Sequence, residues 1–133
     1  MKQLSSLSDY SKLNIAGLVL TAAGMALERG AGSMLYPTLT GPIVLVVVAA
    51  LVAVRPTRWT GYVGLIVPCV LAAGLVVSAA LSTTFVDQLT GNGNAGTLVG
   101  SIVHIVGLVA AVAGGIGMVL RPRSGAIAHV RPR

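Results

Sequence analysis

Apolar residues fall in four long runs along the chain, separated by short polar or glycine-rich breaks. The runs cover about residues 13–31, 37–54, 59–82 and 97–120, and each reads as a helix by length and by the scarcity of charge. Gly30, Gly32 and Ser33 interrupt the pattern after the first run. Arg55-Pro56-Thr57-Arg58 forms a tight basic link after the second. Residues 83–95, TTFVDQLTGNGNA, are expected to be an irregular loop, and a basic tail fills 121–133. Residues 1–12 are polar and precede an apolar run, but no A-x-A cleavage pattern follows, so the first run is expected to remain as a helix. The second run is short: Ile43 to Val54 covers only about 18 Å as a helix. Met34 to Pro42 is therefore expected to reach membrane depth, as a helix opened by Pro37 and bent at Pro42. The alternative is irregular chain before a helix in which Pro42 is the first residue.

Two helices carry a face of small residues. At ~100° per residue, Gly96, Gly100, His104, Gly107, Ala111, Gly114, Gly115 and Met118 lie within about ±60° of one line. Asn14, Gly17, Thr21, Gly24, Glu28 and Ala31 share a face of the first helix in the same way. Small faces allow close backbone approach between helices, so Gly17, Gly24, Gly96, Gly100, Gly107, Ala111 and Gly115 are the expected packing positions. Gly74, Ser78 and Ser82 give the third helix a small edge as well.

Composition narrows the class. Of 133 residues, 55% are hydrophobic and 9% charged, against about a quarter charged in soluble domains. Mean hydropathy is +0.91. The expected fold is all-α: a four-helix transmembrane bundle forming one integral membrane domain. Net charge is +6, but the basic residues flank the apolar runs, which is a topology signal and no nucleic-acid footprint. Lys2, Lys12, Arg55, Arg58, Arg121, Arg123, Arg131 and Arg133 fall on one side and only Arg29 on the other. The positive-inside rule then places both termini in the cytoplasm, N-in and C-in, in a cell inner membrane. Tyr10, Trp59 and Tyr62 at the inner boundary, with Tyr36 and Phe85 at the outer one, follow the aromatic-belt pattern. Seven Arg to two Lys, with abundant Ala, Val and Gly, read as a GC-rich bacterial source. Ala22-Ala23-Gly24 recurs as Ala72-Ala73-Gly74, and Leu39-Thr40-Gly41 as Leu89-Thr90-Gly91. This is either a weak hairpin duplication or chance recurrence in low-complexity sequence.

Candidate chemistry is sparse. Glu28 and His104 are the intramembrane ionisable groups, which makes them the default functional residues. Glu28 lies sixteen residues from Lys12, and His104 seventeen from Arg121. Both therefore sit about 24–26 Å from the inner ends, at one height. A bonded pair between the first and fourth helices is the expectation; the competing reading is a Glu28 that snorkels to the headgroups beside Arg29. The single cysteine, Cys69, can form neither an intrachain disulfide nor a metal site. No catalytic, phosphate-binding or metal spacing appears, so no enzyme activity, metal or cofactor is expected. Arg121, Arg123, Arg131 and Arg133 are candidate contacts for anionic lipid headgroups. Helix count, chain size and Glu28 resemble the small multidrug transporters; the outer position of the acid, the adjoining Arg29 and the lack of mid-membrane aromatics depart from them. The leading expectation is an accessory or scaffolding subunit whose partners are membrane lipids and other subunits, or a second copy of itself. The rival is a small oligomeric proton-coupled or lipid-related transporter using Glu28 and His104.

Overall fold

The computed structural model describes residues 8–32, 40–55, 57–81, 83–90, 92 and 94–120. They form four long helices and one short one: α1 (Asp9–Gly30), α2 (Thr40–Val54), α3 (Arg58–Leu81), α4 (Thr84–Leu89) and α5 (Ala95–Leu120). No strand occurs among the described residues. α1, α3 and α5 are long and apolar enough to cross a membrane. α2, with 15 residues, spans about 22 Å and falls short of a ~30 Å hydrocarbon core.

The helix ends differ from the expected ones for local reasons. α1 starts four residues earlier than its apolar run. Ser8 caps it, its Oγ accepting the Ser11 amide at 3.2 Å. Asp9 in the first turn suits the positive end of the helix dipole. Ser11 is buried and continues the face that Asn14 begins, so these polar residues belong to the helix. In α2, Pro42 occupies the first turn, where a missing N–H costs nothing. The upstream part of the bent helix expected there, 34–39, lies outside the described residues, as do Tyr36 and the 121–133 tail.

The link into α3 is held by threonines. Thr57 Oγ1 accepts the Thr60 amide at 3.4 Å, and Thr60 Oγ1 donates to the Arg55 carbonyl at 2.7 Å. The loop expected over 83–95 contains the six-residue α4, closed by Thr90 Oγ1 donating to the Val86 carbonyl at 2.9 Å. Six residues are too few for any apolar periodicity to announce a helix. α5 begins at Ala95 because Asn94 caps it, its Oδ1 accepting the Thr97 amide at 2.9 Å. Asn94 Nδ2 donates to the Ala31 carbonyl at 2.7 Å. One side chain thus ties the end of α1 to the start of α5.

α5 packs against α1, α3 and α4, and its interface with α1 is the most extensive in the protein. α2 lies against α1 and, more lightly, α3. Leu18, Met25, Leu45, Val48, Ala49, Val52 and Ala111 form the main apolar core.

α1 and α5 run antiparallel, and their glycines record the register. A Cβ added at Gly114 meets Asn14 Cα at 2.7 Å; one at Gly107 meets Thr21 Oγ1 at 2.7 Å; one at Gly100 meets the Glu28 amide at 2.8 Å. In the other direction, a Cβ at Gly17 meets Ala111 Cα and one at Gly24 meets His104 Cα, both at 2.7 Å. Contact positions on α1 are spaced alternately three and four residues apart, the heptad rhythm of a left-handed antiparallel pair. In these five layers each glycine faces a larger residue across the seam. Backbones approach closely while each side chain has a notch to occupy, which is the packing available where lipid provides no hydrophobic drive.

Candidate functional site

The α1–α5 seam carries polar groups at two depths. Near the C-terminal end of α1, His104 Nδ1 lies 3.5 Å from Glu28 Oε1, with both side chains only 1% exposed. The antiparallel arrangement brings this about. Helix side chains lean toward their own N-terminus, so Glu28 leans back toward the Gly24–His104 layer while His104 leans toward the Glu28–Gly100 layer. They meet in the gap between two layers. The separation is that of an ion pair and sits at the outer limit of hydrogen bonding. Neither Glu28 oxygen accepts a hydrogen bond among the described residues. Glu28 is turned into the protein instead of snorkelling beside the exposed Arg29.

Near the N-terminal end of α1, Asn14 is fully buried. Its Nδ2 donates to the Gly64 carbonyl of α3 at 2.9 Å and to the Ala111 carbonyl of α5 at 2.6 Å, so one amide joins three helices. The Gly64 carbonyl is available for a specific reason. In an α-helix it would accept from residue 68, which here is Pro68 and has no N–H. Within a bilayer such a freed carbonyl needs a partner from the protein, and Asn14 provides it. Between the two depths, Thr21 Oγ1 donates to the Gly17 carbonyl of its own helix at 2.8 Å.

The expected packing residues divide between two seams. Gly17, Gly24, Gly100, Gly107 and Ala111 are buried in the α1–α5 seam. Gly96 is exposed, although a Cβ there would stand 3.0 Å from Ala31 Cβ. Gly115 faces the neighbouring α3 instead, with Leu65 Cα 3.0 Å from its Cβ position. The candidate lipid contacts Arg121, Arg123, Arg131 and Arg133 lie outside the described residues. The sequence pattern sets Asn14 on the small face and gives it no role of its own. Its signal was indirect: a proline inside an apolar helix frees the carbonyl four residues earlier.

No group of three or more His, Cys, Asp or Glu that would hold a metal occurs among the described residues. Two shallow grooves flank the N-terminal half of α2. One is lined by Val19, Ala22, Ala26, Ile43 and Val46, the other by Thr40, Val44, Ile66, Val67 and Val70; both are apolar and open outward. Neither includes Glu28, His104 or Asn14. The chemistry available at the seam is proton exchange and hydrogen bonding between helices. The chain matches no family model, no curated protein and no solved structure.

Proposed function

We propose that the chain is a non-catalytic accessory or scaffolding subunit of a larger bacterial inner-membrane assembly, respiratory or lipid-handling. It crosses the membrane four times with both termini in the cytoplasm, the orientation favoured by the one-sided distribution of Lys and Arg. One observation carries the reading: polar groups are turned inward and side chains on the outer faces are apolar. Asn14, Thr21, Glu28, Ser101 and His104 are all buried. α2 and α3 meanwhile direct Val46, Val47, Ile66, Val70 and Val76 outward. Polar residues used in this way hold helices in register, and the outer faces are left for neighbours. Gly74 on α3 has open space where a side chain would stand, a position at which another helix can approach closely.

The test is purification of the tagged chain in mild detergent, with mass spectrometry of whatever co-migrates. A stoichiometric larger partner, lost on Gly74→Leu and retained on Glu28→Gln, is the expected result. A clean homodimer refutes the reading. One observation favours a second reading, a small proton-coupled transporter: a carboxylate–imidazole pair at membrane depth is a group able to carry a proton. Loss of proton-coupled uptake in Glu28→Gln and His104→Ala, with assembly intact, would support it over the scaffold.

A further inference from the structure

We propose that the α2–α3 hairpin binds one anionic phospholipid, its phosphate held by Arg55 and Arg58 and an acyl chain lying in the groove between the two helices. Such a site requires the membrane placement proposed above and is independent of the scaffolding role.

The two arginines are cations without a counterion. The chain has nine Lys and Arg against three Asp and Glu. Asp9 stands 3.5 Å from Lys12 and Glu28 3.5 Å from His104, while Asp87 belongs to α4, beyond the far end of α3. Among the described residues neither Arg55 nor Arg58 has an ion pair, and both are exposed. Their backbone is fixed before any ligand arrives: the Thr57 amide and the buried Thr60 Oγ1 both donate to the Arg55 carbonyl at 2.7 Å. Two guanidinium forks on one tied turn suit the oxygens of a phosphate, and prior ordering lowers the cost of binding.

α2 and α3 run antiparallel from this turn, with Val52 Cγ2 3.3 Å from the Cβ position of Gly64. Deeper, Val44 of α2 and Ile66 and Val70 of α3 line an open apolar groove. Helix geometry connects groove and turn. Val44, Leu51 and Arg55 lie within about 40° of one another around α2, and Trp59, Ile66 and Val70 do so around α3. Arg55 continues the α2 backbone, its amide donating to the Leu51 carbonyl at 3.0 Å. All six residues are exposed. At ~1.5 Å per residue, Ile66 is about 12 Å from Arg58 and Val44 about 17 Å from Arg55. That is acyl-chain depth in one leaflet, half of a ~30 Å core. Trp59, 80% exposed at the head of its line, is a residue type that settles at headgroup level. Charge, aromatic ring and apolar groove thus follow one another in the order of a phospholipid from head to tail. A zwitterionic headgroup brings its own cation to the arginines, so the site selects a net negative one.

The test uses the full chain in vesicles of phosphatidylcholine with phosphatidylglycerol, one or the other carrying brominated acyl chains that quench tryptophan. Trp59, the single tryptophan, is replaced by Phe, and a reporter is placed either in the groove, Ile66→Trp, or on exposed α5, Val109→Trp. In the groove the anionic lipid is expected to be preferred on the order of 25-fold, at about 5-fold per arginine. Arg55→Gln and Arg58→Gln should each lower the preference about 5-fold and together abolish it. Lys12→Gln, an equal charge change on α1, should leave it intact, and inorganic phosphate should not relieve the quenching. Equal quenching of the groove reporter by the two lipids overturns the proposal. So does the same preference at Val109→Trp, an effect of Lys12→Gln as large as that of Arg55→Gln, or relief by free phosphate. If neither reporter is quenched by either lipid, the membrane placement fails and the site with it.

Discussion

Replacing Asn14 by Leu tests the most specific bond set in the protein. The substitution roughly keeps volume and removes both donors of Nδ2, to Gly64 O and Ala111 O. Interhelical hydrogen bonds in membranes contribute about 0.6–1 kcal/mol each, hence about 1–2 kcal/mol for the two. The two carbonyls then fare differently. Ala111 O belongs to an unbroken stretch of α5, where the Gly115 amide is placed to bond it. Gly64 O has no such reserve because residue 68 is proline, and a buried unpaired carbonyl costs about 1–3 kcal/mol. Asn14 Oδ1 has no hydrogen-bond partner among the described residues, so its removal returns about 1 kcal/mol. The net loss is about 1–4 kcal/mol. Pro68→Ala separates the contributions, since the alanine amide bonds Gly64 O within α3 and makes Asn14 partly redundant. Asn14→Leu should then cost about 1–3 kcal/mol less in the Pro68→Ala background than in the native one. Reversible unfolding in bicelles by steric trapping, across the four proteins of the cycle, gives the coupling directly. A coupling within about 0.5 kcal/mol of zero, the range for independent sites, refutes the claim that Asn14 takes up the carbonyl freed by Pro68.

Other expectations follow from the same geometry. Gly24→Ala places a methyl 2.7 Å from His104 Cα and should destabilise the protein by about 1–3 kcal/mol in the same unfolding assay. Gly74→Ala meets nothing within 4 Å and should stay within about 0.5 kcal/mol or stabilise slightly, as surface changes do. Asn94→Ala removes the cap of α5 and the tie to Ala31. It should cost about 1–2 kcal/mol and speed hydrogen exchange at the Thr97 amide relative to the middle of α5.

Much of the bundle was legible because a membrane helix has few ways to hide polar residues. The face drawn through Asn14, Gly17, Thr21, Gly24 and Glu28 is the buried face of α1, since the angular spacing depends only on helix geometry. Matching Glu28 and His104 by depth needs nothing but helix rise and a charge census, and their side chains lie 3.5 Å apart. What escaped depends on groups that periodicity cannot see. The first turn of α1 lies outside the apolar run because Ser8, Asp9 and Ser11 are polar, although a serine cap followed by an acid is a helix-start signal in its own right. α4 is too short to show a period. Gly115 falls within the same broad sector as the α1-facing glycines, but the hundred degrees of rotation between it and Gly114 carries it onto the α3 seam. The role of Asn14 required knowing which helix stands beside Pro68, and one chain read alone does not contain that adjacency.

The pairing of α1 with α5 has a consequence for how the protein is made. The most extensive interface joins α1 to α5, so no nascent chain that lacks α5 contains it. α1 is also the least apolar of the three long spans, with a mean hydropathy of 1.2 in its best window against 2.4 for α3 and 2.3 for α5. At 5–20 residues per second, α1 waits on the order of ten seconds for α5 to emerge. During that interval Asn14 is without the Ala111 carbonyl and Glu28 is without His104. Closure of the α1–α5 seam is therefore late, and the least hydrophobic of the three long spans must be held until α5 arrives. Truncation before residue 95 leaves a span that the cell has reason to treat as unfinished.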